Sequence, residues 1–178
     1  MFHYKIKNND TVYKVKKSSL KLSKTLESIA KNNNADTPRD AIEFNHVTTT
    51  DLEYNITYNL PIHHDFINEY FTIWCDKIKS ENYIKIQPIN CANPANILTA
   101  EDNELIERYL FNNLNNPDNQ NKEYIIKVYN KINCLNALIC TADKFMEMDG
   151  LTNKLLAYIA TIIWTCGLPE VNNIRMVE

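Results

Sequence analysis

Two amphipathic stretches joined by a short polar turn constrain this chain more than any other feature. Apolar residues recur at spacings of three and four from Ile132 to Ala142 and again from Leu155 to Ile163. This periodicity predicts two helices, each with one apolar face. Gly150 lies between the stretches, and glycine allows a sharp turn there. We therefore expect a helical pair that buries both apolar faces.

The N-terminal part of the sequence predicts a hairpin followed by mixed helices and strands. Residues 2–6 and 12–15 alternate apolar and polar side chains on either side of a turn at residues 8–10. Ser18 or Ser19 is suited to cap the helix that follows. The other predicted elements are strands at 41–47 and 54–60 and helices at 65–79 and 99–114, the last with a Thr99–Asp102 capping box.

Composition and charge exclude several classes of function. The 178 residues are 44% hydrophobic, which suffices for one core, and the net charge of −3 gives no general attraction to nucleic acid. Residues 1–31 are locally basic, and we interpret them as a solvated face. Only two glycines occur, which excludes glycine-rich phosphate loops. The apolar run at 155–168 is too short to cross a membrane.

The residues that could carry chemistry do not form a convincing catalytic or metal site. The five cysteines contain no C-x-x-C pair, so we expect reduced thiols in the cytoplasm or nucleus and no zinc finger. His63 and His64 resemble a helix-start cluster, and Cys75 lies roughly 15 Å along the helix from Asp65. The acidic residues near 101–107 suit the start of a helix. We predict no enzyme activity and no cofactor.

Several motifs resemble one known family. Leu60-Pro61 is followed after a helix by Trp74-Cys75, and Ser23-Lys24-Thr25-Leu26 lies in the first helix. The most specific block comprises Ala142-Asp143-Lys144-Phe145-Met146, Gly150-Leu151, Ile159-Ala160, Ile162-Ile163 and Pro169-Glu170. Together they resemble the BTB/POZ fold, in particular its branch of S-phase kinase-associated adaptors and elongin C. The likeness covers about two thirds of the chain, because it excludes residues 80–121 and accounts poorly for residues 31–53.

The resemblance implies an α+β fold with a small mixed sheet, a helical cluster and an inserted strand-helix segment. On that basis residues 1–79 form the N-terminal half of the BTB/POZ-like domain. Residues 80–121 form an insertion where the family carries an acidic loop. Residues 122–178 form the C-terminal helical half, with a shorter tail than the family's.

The function that the resemblance implies is that of a non-enzymatic adaptor in cullin-RING (SCF-type) ubiquitin ligases, linking a cullin to an F-box-like or other receptor. A decoy that occupies one of these surfaces is a variant of the same role. The cullin-facing candidates are Lys144, which replaces the family's asparagine, Phe145 and Glu147. The receptor-facing candidates are Trp164, Pro169, Glu170 and Ile174.

Two alternatives remain open at this stage. The first is a BTB scaffold that self-associates through the N-terminal hairpin and first helix, with no role in ubiquitin ligation. The second is a hydrolase or metal enzyme that uses His63, His64 or Cys75. The asparagine-rich, divergent sequence is also compatible with a viral protein that acts in the cytoplasm or nucleus of a host cell. No nucleic-acid or membrane partner is expected.

Overall fold

The computed structural model describes residues 1–45, 48–52, 56–74, 99–111 and 122–166. This part of the chain is mixed α and β and about 67% helical. The α+β class predicted from the sequence is therefore confirmed at this coarse level. Residues 80–98 and 112–121, which make up most of the predicted insertion, lie outside the described residues, so the division into three units stays a prediction.

A small three-stranded sheet forms one wall of the core. Strand β1 (Phe2–Ile6) pairs antiparallel with β2 (Val12–Val15), so that Phe2 lies opposite Val15. Asn8 adopts the left-handed conformation at φ 64° in the turn between them, which asparagine tolerates well. The predicted hairpin is confirmed. Strand β3 (Ile42–Phe44) pairs parallel with the other side of β1, which gives the order β2-β1-β3.

The parallel pairing of β1 and β3 requires a crossover, which helix α1 (Lys24–Asn32) provides. The prediction that Ser18 or Ser19 caps this helix was wrong, because the chain first forms a 3₁₀ turn over Lys17–Leu22. Ser23 is the N-cap instead, and its Oγ accepts the Leu26 N–H at 3.1 Å.

A second, two-stranded sheet precedes the long helix α2 (Pro61–Trp74). Its strands are β4 (Thr49–Asp51) and β5 (Ile56–Tyr58), which pair antiparallel. Helix α2 begins four residues before the predicted position 65. Proline is well suited to the first turn of a helix because its φ is already helical and its missing N–H is not needed there. Residues 75–79 lie outside the described residues.

Helix α3 (Ala100–Ile106) continues into a π-helical turn at Glu107–Phe111. The capping box is confirmed, because Thr99 Oγ1 accepts the Asp102 N–H and Asp102 Oδ2 accepts the Thr99 N–H. Leu105, Ile106 and Phe111 are buried in the same core as the sheet. This part of the segment is therefore packed into the domain.

Helices α4 (Lys122–Cys140) and α5 (Asp149–Cys166) pack against each other. The predicted helical pair is confirmed, since buried side chains lie on the expected faces. They are Ile132, Leu135, Leu138, Ala142, Leu155 and Ile159. Leu156, which lies within the predicted apolar run from Leu155 to Ile163, is an exception, because it is 36% exposed at the margin of the buried face.

Candidate functional site

The candidate site is the corner between α4 and α5, which we define as residues 141–149. Helix α4 ends in a π-helical turn at Thr141–Phe145, and α5 begins at Asp149. Glu147 adopts the left-handed conformation at φ 47° and reverses the chain. The sequence suggested Gly150 for this role, which was wrong, because Gly150 is the second residue of α5.

Backbone hydrogen bonds and two buried methionines close the corner on itself. The N–H groups of Met146, Glu147 and Met148 donate to the carbonyls of Thr141, Asp143 and Ala142, at 3.3, 3.2 and 2.9 Å. Met146 and Met148 are almost fully buried. The chain reversal is thus held by both backbone and core contacts.

Helix α1 supports the corner from one side. Ser23 Oγ donates to the Met146 carbonyl at 2.5 Å, and the Lys24 N–H donates to the Glu147 carbonyl at 3.3 Å. Lys24 Nζ also lies 2.6 Å from an oxygen of Asp149. That ion pair is exposed and contributes little, whereas Ser23 is fully buried and fixes two elements at once.

Helix α2 supports the corner from the other side through a buried polar cluster. Thr141 Oγ1 accepts the Asn59 N–H at 2.8 Å and forms a 2.7 Å hydrogen bond with His63 Nδ1. His64 Nε2 lies 2.6 Å from Asn59 Oδ1. All four side chains are buried. The two histidines therefore lie at the start of a helix, as the sequence predicted, and join β5 and α2 to the end of α4.

Burial lowers the pKa of His63 to about 4, because the protonated imidazole would lose its hydration. His63 is therefore neutral at neutral pH. In the described part of the chain, no three histidine, cysteine, aspartate or glutamate side chains are grouped so that they could hold a metal ion. Cys75, the third residue of the alternative enzyme hypothesis, lies outside the described residues.

The cullin-facing candidates differ in exposure. Lys144 and Glu147 are exposed at the surface of the corner. Phe145 is half-buried, and its ring lies 5.7 Å from the ring of Tyr58 between centroids. The corner thus presents two charged side chains next to a partly covered aromatic ring. This combination suits the edge of a protein interface, where an aromatic anchor is flanked by polar groups.

The receptor-facing candidates lie near the end of α5 and after it in the sequence. Trp164 lies in the last part of α5, and its side chain is outside the described residues. Pro169, Glu170 and Ile174 also lie outside the described residues. These four assignments stay predictions.

Sequence reasoning missed a buried ion pair in another part of the domain. Lys154 Nζ lies 2.7 Å from Asp102 Oδ2, and the side chains are 13% and 4% exposed. Trp74 Nε1 donates to the other oxygen of Asp102 at 3.0 Å, and Lys154 Nζ lies 3.4 Å from the centroid of the Trp74 ring. The group joins α2, α3 and α5. Its only sequence signal was the Thr99–Asp102 capping box.

We expect Gly150→Ala to stabilise the protein, because no heavy atom lies within 4 Å of the added Cβ and the position is helical. The gain in free energy of unfolding should be about 0.4–1 kcal/mol. Glu147→Val should instead cost about 1–2 kcal/mol, since a β-branched residue is strained at positive φ. Urea unfolding of both variants measures the difference. If Gly150→Ala lowered the free energy of unfolding more than Glu147→Val did, Gly150 would be the residue that forms the turn.

Comparison with known proteins supplies no relative for this chain. No helix in the described residues is long and apolar enough to cross a membrane. No protein-family model matches the chain, and neither the curated proteins nor the solved structures give a significant match.

Proposed function

We propose that this chain is a non-enzymatic adaptor of the BTB/POZ type, resembling the S-phase kinase-associated and elongin C branch. In this role it links a cullin to a substrate receptor, or occupies the cullin as a decoy without a receptor. The corner at residues 141–149 is the cullin-facing surface, with Lys144, Phe145 and Glu147 as contact residues. The end of α5 and the residues that follow it face the receptor. Such a protein acts in the cytoplasm or nucleus.

The order of the described elements supports this proposal. A hairpin, a crossover helix, a strand, a second helix and a helical pair occur in the order that the resemblance implies. The two-stranded sheet of β4 and β5 lies before the second helix, and α3 lies before the helical pair. The motif residues Ser23, Pro61 and Trp74 lie at the start of α1 and at the two ends of α2. The likeness in sequence and the order of elements are therefore consistent with each other.

A single observation carries the proposal. Buried hydrogen bonds fix the backbone of the corner, while the side chains of Lys144 and Glu147 remain exposed. Ser23 and Thr141 fix its backbone through buried hydrogen bonds. Lys144 and Glu147 point to the surface and leave one side of the corner open to a partner. A surface that is ordered before binding loses less conformational entropy in the complex, which favours affinity.

The proposal is tested with purified N-terminal domains of cullins, immobilised and titrated with the protein. The variant Lys144→Glu with Glu147→Lys keeps the net charge but exchanges the signs at the corner. We expect it to weaken binding by about tenfold or more, because like charges then face each other across the interface.

The matched control exchanges the charges of Lys5 and Glu43, which form an exposed ion pair on the sheet at 2.8 Å. This control should bind as the unaltered protein does, within about threefold. Failure of every cullin tested to bind the unaltered protein would contradict the adaptor proposal. Equal weakening by both exchanges would contradict the assignment of the corner.

Self-association as a BTB scaffold is the second candidate, and one observation favours it. In the part of the chain that the structure describes, strands β2 and β3 form the two outer edges of the three-stranded sheet, and Val12 on β2 is 38% exposed. An open strand edge can pair with a second copy of the chain. Light scattering at micromolar concentration tests this candidate. A symmetric dimer that dissociates on Val12→Lys would support it, and a monomer would exclude it.

A further inference from the structure

A basic groove lies on the opposite end of α1 from the corner. It has a volume of about 520 Å³ and runs between the 3₁₀ turn at Lys17–Leu22, the end of α1 and the residues that follow it. Its apolar lining comes from Leu20, Ala30 and Ala35. The volume is within the range of about 300–1,000 Å³ that is typical of binding pockets.

Three lysines line this groove, and their positive charge is only partly neutralised. Lys17 lies 2.6 Å from Asp36, and Lys31 lies 3.9 Å from Glu27. In both pairs the side chains are well exposed, so water competes strongly with the ion pair. Among the described residues, the side chain of Lys21 makes no ion pair or hydrogen bond.

Positive charge is concentrated in the first 36 residues of the chain, and the rest of the chain is acidic. Residues 1–36 contain eight lysines and three acidic residues, although the complete chain has a net charge of −3. The positive charge is therefore concentrated on the hairpin, the 3₁₀ turn and α1. Such an asymmetry steers negatively charged partners toward one face of a protein.

We propose that this groove binds a short acidic segment of a partner protein. The lysines attract its carboxylates, while Leu20, Ala30 and Ala35 form an apolar surface for one of its side chains. Nucleic acid is a poorer fit, because no aromatic side chain lines the groove for base stacking. The surface is separate from the corner, so the inference stands whether or not the protein binds a cullin.

The inference is tested with a short fluorescent peptide of glutamates around one central leucine, with binding followed by anisotropy at about 0.15 M salt. The groove variant carries Lys21→Glu and Lys31→Glu, both at exposed positions. The control variant carries Lys7→Glu and Lys14→Glu, which are exposed on the hairpin and change the net charge equally. Circular dichroism checks that both variants fold.

We expect the unaltered protein to bind the peptide and the groove variant to bind it about tenfold more weakly or worse. The control variant should lose less than about threefold. No binding by the unaltered protein, or equal losses in both variants, would overturn the inference. Tighter binding to a single-stranded oligonucleotide of the same charge, or to vesicles containing phosphatidylserine, would also overturn it.

Discussion

Asp102→Asn should destabilise the protein by about 3–5 kcal/mol, which is a large part of the stability of a domain. Asp102 is 4% exposed and is the carboxylate partner of Lys154 at 2.7 Å. Its removal leaves the ammonium of Lys154 largely buried with its charge no longer balanced. The substitution also weakens the bond from Trp74 Nε1 and the capping box of α3. Urea unfolding followed by circular dichroism measures the loss.

A double variant separates the ion pair from the other contacts of Asp102. Asp102→Asn with Lys154→Met removes both buried charges, so it should be more stable than Asp102→Asn alone by about 1–3 kcal/mol. Strict additivity of the two single substitutions would contradict the buried ion pair.

The matched control for this prediction is Glu104→Gln on the same helix. Glu104 is 73% exposed and lies 3.0 Å from Arg108. An exposed pair of this kind contributes little, so the control should cost less than about 1 kcal/mol. A loss as large as that of Asp102→Asn would mean that any carboxylate on α3 has the same effect, and that burial is not the cause.

The second large effect is a loss of stability in acid that arises from His63. Its pKa is lowered from 6.5 to about 4 by burial. The unfolded chain therefore takes up a proton as the pH falls below 6.5, while the folded protein does not until about pH 4. The contribution of His63 to the free energy of unfolding is therefore fully present above pH 6.5. About 3 kcal/mol of that free energy should be lost as the pH falls to about 4.

Unfolding in urea at a series of pH values measures this loss, and His63→Gln isolates it. Other groups that titrate in this range, chiefly carboxylates, contribute in both proteins, so they cancel in the difference. The glutamine variant should be less stable than the unaltered protein at neutral pH and should lose less stability between pH 6.5 and about 4. Parallel curves for the two proteins would contradict a neutral, buried His63.

Helical periodicity and strand alternation predicted much of the fold. The spacing of Ile132, Leu135 and Leu138 identified the buried face of α4, because helices that pack on a core repeat their apolar residues at this period. The alternation in β1 and β2 identified the hairpin in the same way. Both signals are local, so neighbouring residues alone carry them.

The helix cap and the turn residue were predicted less well, because more than one nearby residue was suited to each role. Ser18, Ser19 and Ser23 all have the chemistry of a helix cap, and only the 3₁₀ turn before α1 decides among them. Gly150 was the obvious turn residue, yet the hydrogen bonds from Ser23 and Lys24 to the corner hold Glu147 at positive φ instead. Tertiary contacts outweigh the intrinsic preference of the residue there.

Contacts between distant residues could not be predicted from spacing. Asp102 and Lys154 are 52 positions apart, and Asn59 and Thr141 are 82 positions apart. No periodicity links such residues, since each lies on a different element. Lys144, Phe145 and Glu147 were named from the resemblance alone, and their role in binding stays a prediction.

Hydrogen exchange with and without a bound cullin N-terminal domain tests the central claim most directly. The corner should gain protection at the amides of residues 143–147, because partner contact shields its exposed side from water. The groove at the end of α1 should exchange as before. If the cullin instead protects other elements and leaves 143–147 unchanged, or does not bind at all, the assignment of the corner as the docking surface is contradicted.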